Sequence, residues 1–69
     1  MRFYPFDVVH IAAHNAKPGE GLSYPACRVV VLDEGFSGGW DIYDGYRSTD
    51  SEPVSFYGFS VTRVISAGE

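Results

Sequence analysis

Apolar residues alternate with polar ones over short runs bounded by Gly, Pro, Ser and Asp, and this period of two predicts strands through most of the chain. The clearest run, residues 26–47, reads as a β-hairpin. Its first arm, 27–32, holds three consecutive valines, and its second, 40–46, alternates large apolar with acidic residues. Val29 and Val31 share a face with Cys27, and Val30 and Leu32 share the other with Arg28; a strand apolar on both faces is expected at the centre of a sheet. In the second arm Trp40 and Ile42 share a face with Asp44 and are expected to point to the core, leaving Asp41, Tyr43 and Gly45 on the other. The connection, 33–39, has three glycines and a lone Phe36, which predicts a longer, mobile loop in place of a tight two-residue turn.

The flanking segments are read in the same way. Phe3, Tyr4 and Phe6 around Pro5 suit an edge strand or lead-in segment. Residues 7–13 have two readings. As a helix running over 7–17 they would take Asp7 as N-cap and stop before Pro18; as a strand they use Val8, Val9 and Ile11, and the early β-branched residues favour the strand. Residues 14–24, rich in Gly and Pro, form the longest expected loop, and Pro25 extends Tyr24 into the valine arm. Residues 48–53 read as a polar reversal. A single last strand, 54–65, is expected to bury Tyr57, Phe59, Val61 and Ile65, with Gly58 as a bulge, before a short frayed tail at 66–69. The sum is an all-β fold, a small antiparallel meander or open barrel of about four strands, with an α+β fold as the alternative should 7–17 be helical.

Sixty-nine residues make one domain, and 45% apolar with 16% aromatic residues is too hydrophobic for a disordered chain. No apolar run approaches the roughly 18 residues of a membrane span, and the N-terminus lacks the order of a signal peptide. A soluble, cytoplasmic protein with no membrane partner is expected. The one cysteine, Cys27, excludes an intramolecular disulfide. Net charge is −4, and residues 33–52 carry Asp33, Glu34, Asp41, Asp44, Asp50 and Glu52 against Arg47 alone. That balance disfavours nucleic acid, whose affinity comes from Lys and Arg, and suits a protein partner with a basic surface, although acids also keep a small aromatic chain soluble.

Candidate chemistry is sparse. His10 and His14, four apart, would share a helix face as metal ligands with Asp7 and Cys27, but a zinc site needs a second such pair, so packed or surface histidines are expected. A calcium loop around Asp41 and Asp44 fails its register, because Trp40, Ile42 and Ser51 would fall on ligand positions. Cys27 beside a histidine would suit a nucleophile, yet a cysteine leading into a valine run is expected to pack as a small apolar side chain. Paired carboxylates for glycoside chemistry have too little cleft in so small a domain, and no phosphate-binding loop or dinucleotide fingerprint is present. No catalytic residue, metal or cofactor is expected.

The tyrosines remain. Tyr4, Tyr24, Tyr43, Tyr46 and Tyr57 exceed what a small core easily encloses, and Tyr43 and Tyr46 beside Asp41 and Asp44, with Asp33 and Glu34, form the predicted partner-binding patch. The expected function is a non-enzymatic protein-binding inhibitor or modulator with the general profile of small phage and mobile-element proteins, including anti-CRISPR proteins, whose acidic face mimics nucleic acid in a basic, nucleic-acid-handling partner. This is analogy of type, without a motif. Two alternatives stand beside it. One is a small nucleic-acid-binding barrel using Arg28, Arg47 and Arg63. The other is an accessory subunit or a homodimer joined through strand edges.

Overall fold

The computed structural model describes residues 3–67, leaving aside the side chains of residues 36 and 37, so the ends of the predicted lead-in and tail lie outside the described residues. Five strands, β1 (Val8–Ile11), β2 (Cys27–Ser37), β3 (Trp40–Arg47), β4 (Pro53–Tyr57) and β5 (Val61–Ser66), form one antiparallel sheet in the order β4-β3-β2-β1-β5. The all-β expectation holds, with one strand more than predicted. Residues 7–17 contain β1 and a loop, and no α-helix occurs among the described residues. The β-branched pair Val8 and Val9 pairs with Val30 and Val29, and that sheet burial decides between the two readings of the segment. Among the described residues no helix is long and apolar enough to cross a membrane.

The predicted single strand 54–65 is two strands. It breaks at Tyr57, where a 3-10 turn, Gly58–Ser60, carries the chain from β4 at one edge of the sheet to β5 at the other. In a flat sheet these edges would lie about 19 Å apart, four spacings of about 4.8 Å. Three residues with a 3-10 rise of about 2 Å each fall far short of that distance. The sheet therefore coils into an open barrel, and the Ala12 N–H donates to the Ser60 carbonyl at 2.9 Å to hold the crossing.

Register explains the remaining departures. Ser37 pairs with Trp40 across a two-residue turn at Gly38 and Gly39, whose φ of 60° and 86° meet the type I′ requirement for positive φ at both positions. The expected long loop is thus a tight turn, and β2 runs to Ser37. Leu32 is the extra residue of a β-bulge, since Val31 pairs with Gly45 but Asp33 pairs with Asp44. Val31 and Gly45 therefore face inward, while Asp33 and Asp44 face outward. On the same count Tyr43 is inward, opposite Phe56 on β4, and Trp40 and Ile42 are outward. The prediction that Trp40 and Ile42 fill the core is overturned by this register: Trp40 is exposed and Ile42 is half-buried. Phe59 is also exposed, because it lies in the 3-10 turn, and Ile65 is exposed where β5 slips against β1, since Val9 pairs with Val64 but Val8 pairs with Ser66.

The core comprises Phe3, Val9, Ile11, Tyr24, Val29, Val31, Tyr43, Phe56 and Tyr57. Tyr43 stacks on Phe56 at 5.7 Å and meets Phe3 edge-on at 5.3 Å, arrangements that add to plain area burial. The lead-in folds as a turn in which the Tyr4 N–H donates to the Asp7 carboxylate at 2.9 Å and the Asp7 N–H donates to the Tyr4 carbonyl at 3.0 Å.

Gly45 has no room for a side chain: an added Cβ would lie 2.2 Å from the Val30 carbonyl oxygen and 2.9 Å from Val29 Cγ1. Gly45→Ala is expected to lower stability by about 1–3 kcal/mol, read as a lower urea midpoint with an unchanged slope.

Candidate functional site

The six residues predicted to contact a partner divide between the two faces of the sheet. Asp33 and Asp44 are exposed on the outer face, and Tyr46 lies half-buried on the same face opposite Val30 and Pro53. Glu34 and Asp41 are half-buried on the inner side, where Glu34 pairs with Tyr43 and Asp41 with Phe36. Tyr43 is 0% exposed and cannot touch a partner. Its inward parity and its stacking on Phe56 overturn that assignment. The predicted patch thus reduces to an outer-face set of Asp33, Asp44 and Tyr46.

Asp33 and Asp44 oppose each other across β2 and β3, which puts two carboxylates about 5 Å apart in Cβ terms. The Ser55 hydroxyl donates to Asp44 Oδ1 at 2.5 Å, and Asp33 Oδ1 accepts the Glu34 N–H at 2.8 Å. No Lys or Arg occurs between Val30 and Tyr46 to neutralise them. Asp33→Asn is expected to raise stability by about 0.2–1 kcal/mol. The gain should shrink as salt is added, because screening already relieves an exposed pair. Urea unfolding at low and high ionic strength measures both effects.

Two aromatic residues expected in the core form a surface group instead. Trp40 and Phe59 are each 55% exposed and meet edge to face at 5.3 Å. Phe59 lies parallel on Tyr57 at 4.9 Å, and His14 packs edge-on against both rings at 5.2 and 5.4 Å. Hydrogen bonds beneath hold the group in place. The Leu22 N–H donates to the Tyr57 hydroxyl at 3.1 Å, and the Tyr57 N–H donates to the Tyr24 hydroxyl at 3.1 Å. Ser60 Oγ shares a further bond with that same buried Tyr24 hydroxyl. Trp40 and Phe59 therefore present rigid apolar area to solvent. The Gly38-Gly39 dipeptide was half of the signal: a two-residue turn there puts Trp40 on the face of Ser37, but it is the bulge at Leu32 that turns that face outward.

The remaining candidates have structural work. His14 Nδ1 donates to the Leu22 carbonyl at 2.8 Å, which fixes its tautomer. The Thr62 hydroxyl gives its one proton to the His10 carbonyl at 3.1 Å, so the 3.1 Å contact between Thr62 and His10 Nδ1 has the imidazole as donor. The four-residue spacing that joins two ligands on a helix separates them here, with His10 in β1 and His14 in the loop beyond it. No group of three or more metal-ligating side chains gathers among the described residues. The Cys27 thiol is pushed up from its ordinary value by burial, with the Arg47 charge opposing in part, which is the reverse of an activated thiolate. A cleft of about 300 Å³ between Tyr24 and the start of β4 includes Arg47 and Glu52 in its lining, but the Arg47 guanidinium is tied to Asp50.

That pair closes the 47–52 turn. Arg47 Nη2 and Nε donate to the Asp50 carboxylate at 2.6 and 3.1 Å, and the Glu52 N–H adds a third bond at 3.2 Å. The Arg47 hydrogen bonds first, and the Glu52 N–H second, hold the Asp50 carboxyl below its ordinary value of 3.8. A depressed folded-state value contributes stability that is present above the ordinary value and lost as pH falls through the folded one. Asp50→Asn is expected to lower the melting temperature slightly at neutral pH, with the deficit closing below pH 3.8. Thermal scans across acidic pH test the sign.

Comparison with protein-family models, with curated proteins and with solved structures yields no match.

Proposed function

We propose that this protein is a non-enzymatic binding module acting in the cytoplasm, one that blocks or modulates a partner by covering its basic, nucleic-acid-handling surface. One observation carries the reading: the outer face of the β2–β3 ribbon sets opposed Asp33 and Asp44 in line with exposed Trp40, without an intervening cation. Carboxylates supply the complementary field that steers encounter and rejects wrong partners, and an exposed tryptophan brings large contact area at low entropy cost. A regulator of the kind found among phage and mobile elements, anti-CRISPR proteins included, needs no more than this. Support for a non-catalytic role comes from His10 and His14, whose Nδ1 atoms are hydrogen-bonded within the fold, and from the half-buried Cys27, whose thiol is pushed away from the thiolate.

Exposed Trp40 and Phe59 would also stack on bases, and this favours the single-strand binder as the second reading. The two differ in how they respond to charge. The discriminating experiment is affinity capture from the cell that makes the protein, using the parent and an Asp33→Lys/Asp44→Lys double variant checked for an unchanged melting curve. The expected result is a basic protein retained by the parent, released by salt and lost from the variant. Retention of the same partner by the variant, or nucleic acid captured more strongly once the carboxylates are reversed, removes the acidic-face mechanism.

A further inference from the structure

We infer that the outer face of β2 and β3 takes an extended, arginine-bearing segment of a protein, with an apolar side chain seated in the Trp40–Phe59 corner and an arginine held between Asp33 and Asp44. The inference rests on the binding role proposed above and specifies its ligand. Along β3 the outward positions are Trp40, Ile42, Asp44 and Tyr46, so the aromatic corner and the carboxylate pair lie on one line. Four residues of strand separate them, about 13 Å. Between them the surface is low: Ile42 is half-buried, and its partner Gly35 has no side chain, an added Cβ there meeting nothing nearer than the Ile42 carbonyl at 3.9 Å. The face is a shallow track with an apolar end and an anionic end.

The occupant follows from charge and spacing. Asp33 and Asp44 occupy directly opposed positions, with Cβ atoms about 5 Å apart, and no Lys or Arg lies between Val30 and Tyr46, so a guanidinium placed between them offsets two like charges. Arginine fits better than lysine because its planar fork donates to two carboxylates at once, whereas an ammonium is a compact, strongly hydrated charge. In an extended segment, residues four apart point to the same side and span the same distance of about 13 Å. An apolar residue and an arginine at positions n and n+4, in either direction, therefore reach both ends of the track together. At n and n+2 they do not, since about 7 Å leaves one end empty.

Trp40 is the only tryptophan in the chain, so its fluorescence reports on this corner alone. The test titrates the intact protein with short synthetic peptides of serine and threonine carrying one leucine and one arginine, four or two residues apart, and a lysine version of the first. The expected result is a saturable change in Trp40 emission, with the four-apart arginine peptide binding about tenfold more tightly than the other two, the size one charge-assisted bidentate contact supports. Asp33→Asn/Asp44→Asn should abolish the arginine preference, and Phe59→Ala should remove the dependence on leucine. Equal affinity for all three peptides, or an arginine preference that survives the asparagine exchanges, overturns the inference. Failure of every peptide while Asp33→Lys/Asp44→Lys still releases a captured protein removes the extended segment and leaves the binding role standing. A captured protein that the lysine variant retains removes the acidic-face mechanism proposed above.

Discussion

The two-residue turn at Gly38 and Gly39 sets the register of the β2–β3 ribbon, and with it the side of the sheet on which each later residue of β3 and β4 falls. Strand side chains alternate with a period of two, so a turn longer by one residue would exchange the two faces. With positive φ at both glycines the ribbon turns at once and Trp40 opposes Ser37; because the bulge at Leu32 has turned Ser37 outward, Tyr43 enters the core against Phe56 and Trp40 stays in solvent. The bulge at Leu32 does the same for β2. Without it, simple alternation from Val29 and Val31 would carry Asp33 inward, where an unpaired carboxylate is costly; with it, Asp33 reaches solvent opposite Asp44.

Closure of the sheet depends on a second device, the buried Tyr24 hydroxyl. It accepts the Tyr57 N–H and bonds Ser60, tying the loop before β2 to the point where the chain leaves β4 for β5. Loops are ordinarily mobile. This one is pinned further by the paired backbone bonds of His14 and Tyr24 and by the bond from Leu22 to the Tyr57 hydroxyl. The rings of Tyr57 and Phe59 stack there, with His14 edge-on against both. A surface built in this way is preorganised, and little entropy is lost when a partner covers it.

The outer face also illustrates a conflict between stability and use. Opposed like charges on neighbouring strands and two exposed aromatic rings each act against a small domain's stability or solubility, yet here they share one face. On the inner side of the ribbon Tyr43, Val29 and Val31 are packed to full burial, with Phe56 of β4 against Tyr43. Local departures of this kind mark the surfaces on which function is most economically placed.

The sequence by itself determined the class of fold, the central place of the valine strand, the long loop before it and the acidic character of the β2–β3 ribbon. These depend on local periodicity, β-branched residues and composition, which act wherever the chain is. Which face each residue occupies was decided only by tertiary structure. Asp33 is outward because of a one-residue bulge, Trp40 because a two-residue turn pairs it with Ser37 beyond that bulge, and Phe59 because three residues must join opposite edges of a coiled sheet. Gly35, Gly38 and Gly39 permit several loop lengths, and nothing local chooses among them. The choice falls to packing, since only one register buries Tyr43 on Phe56 while leaving Gly45 the narrow space beside the Val30 carbonyl.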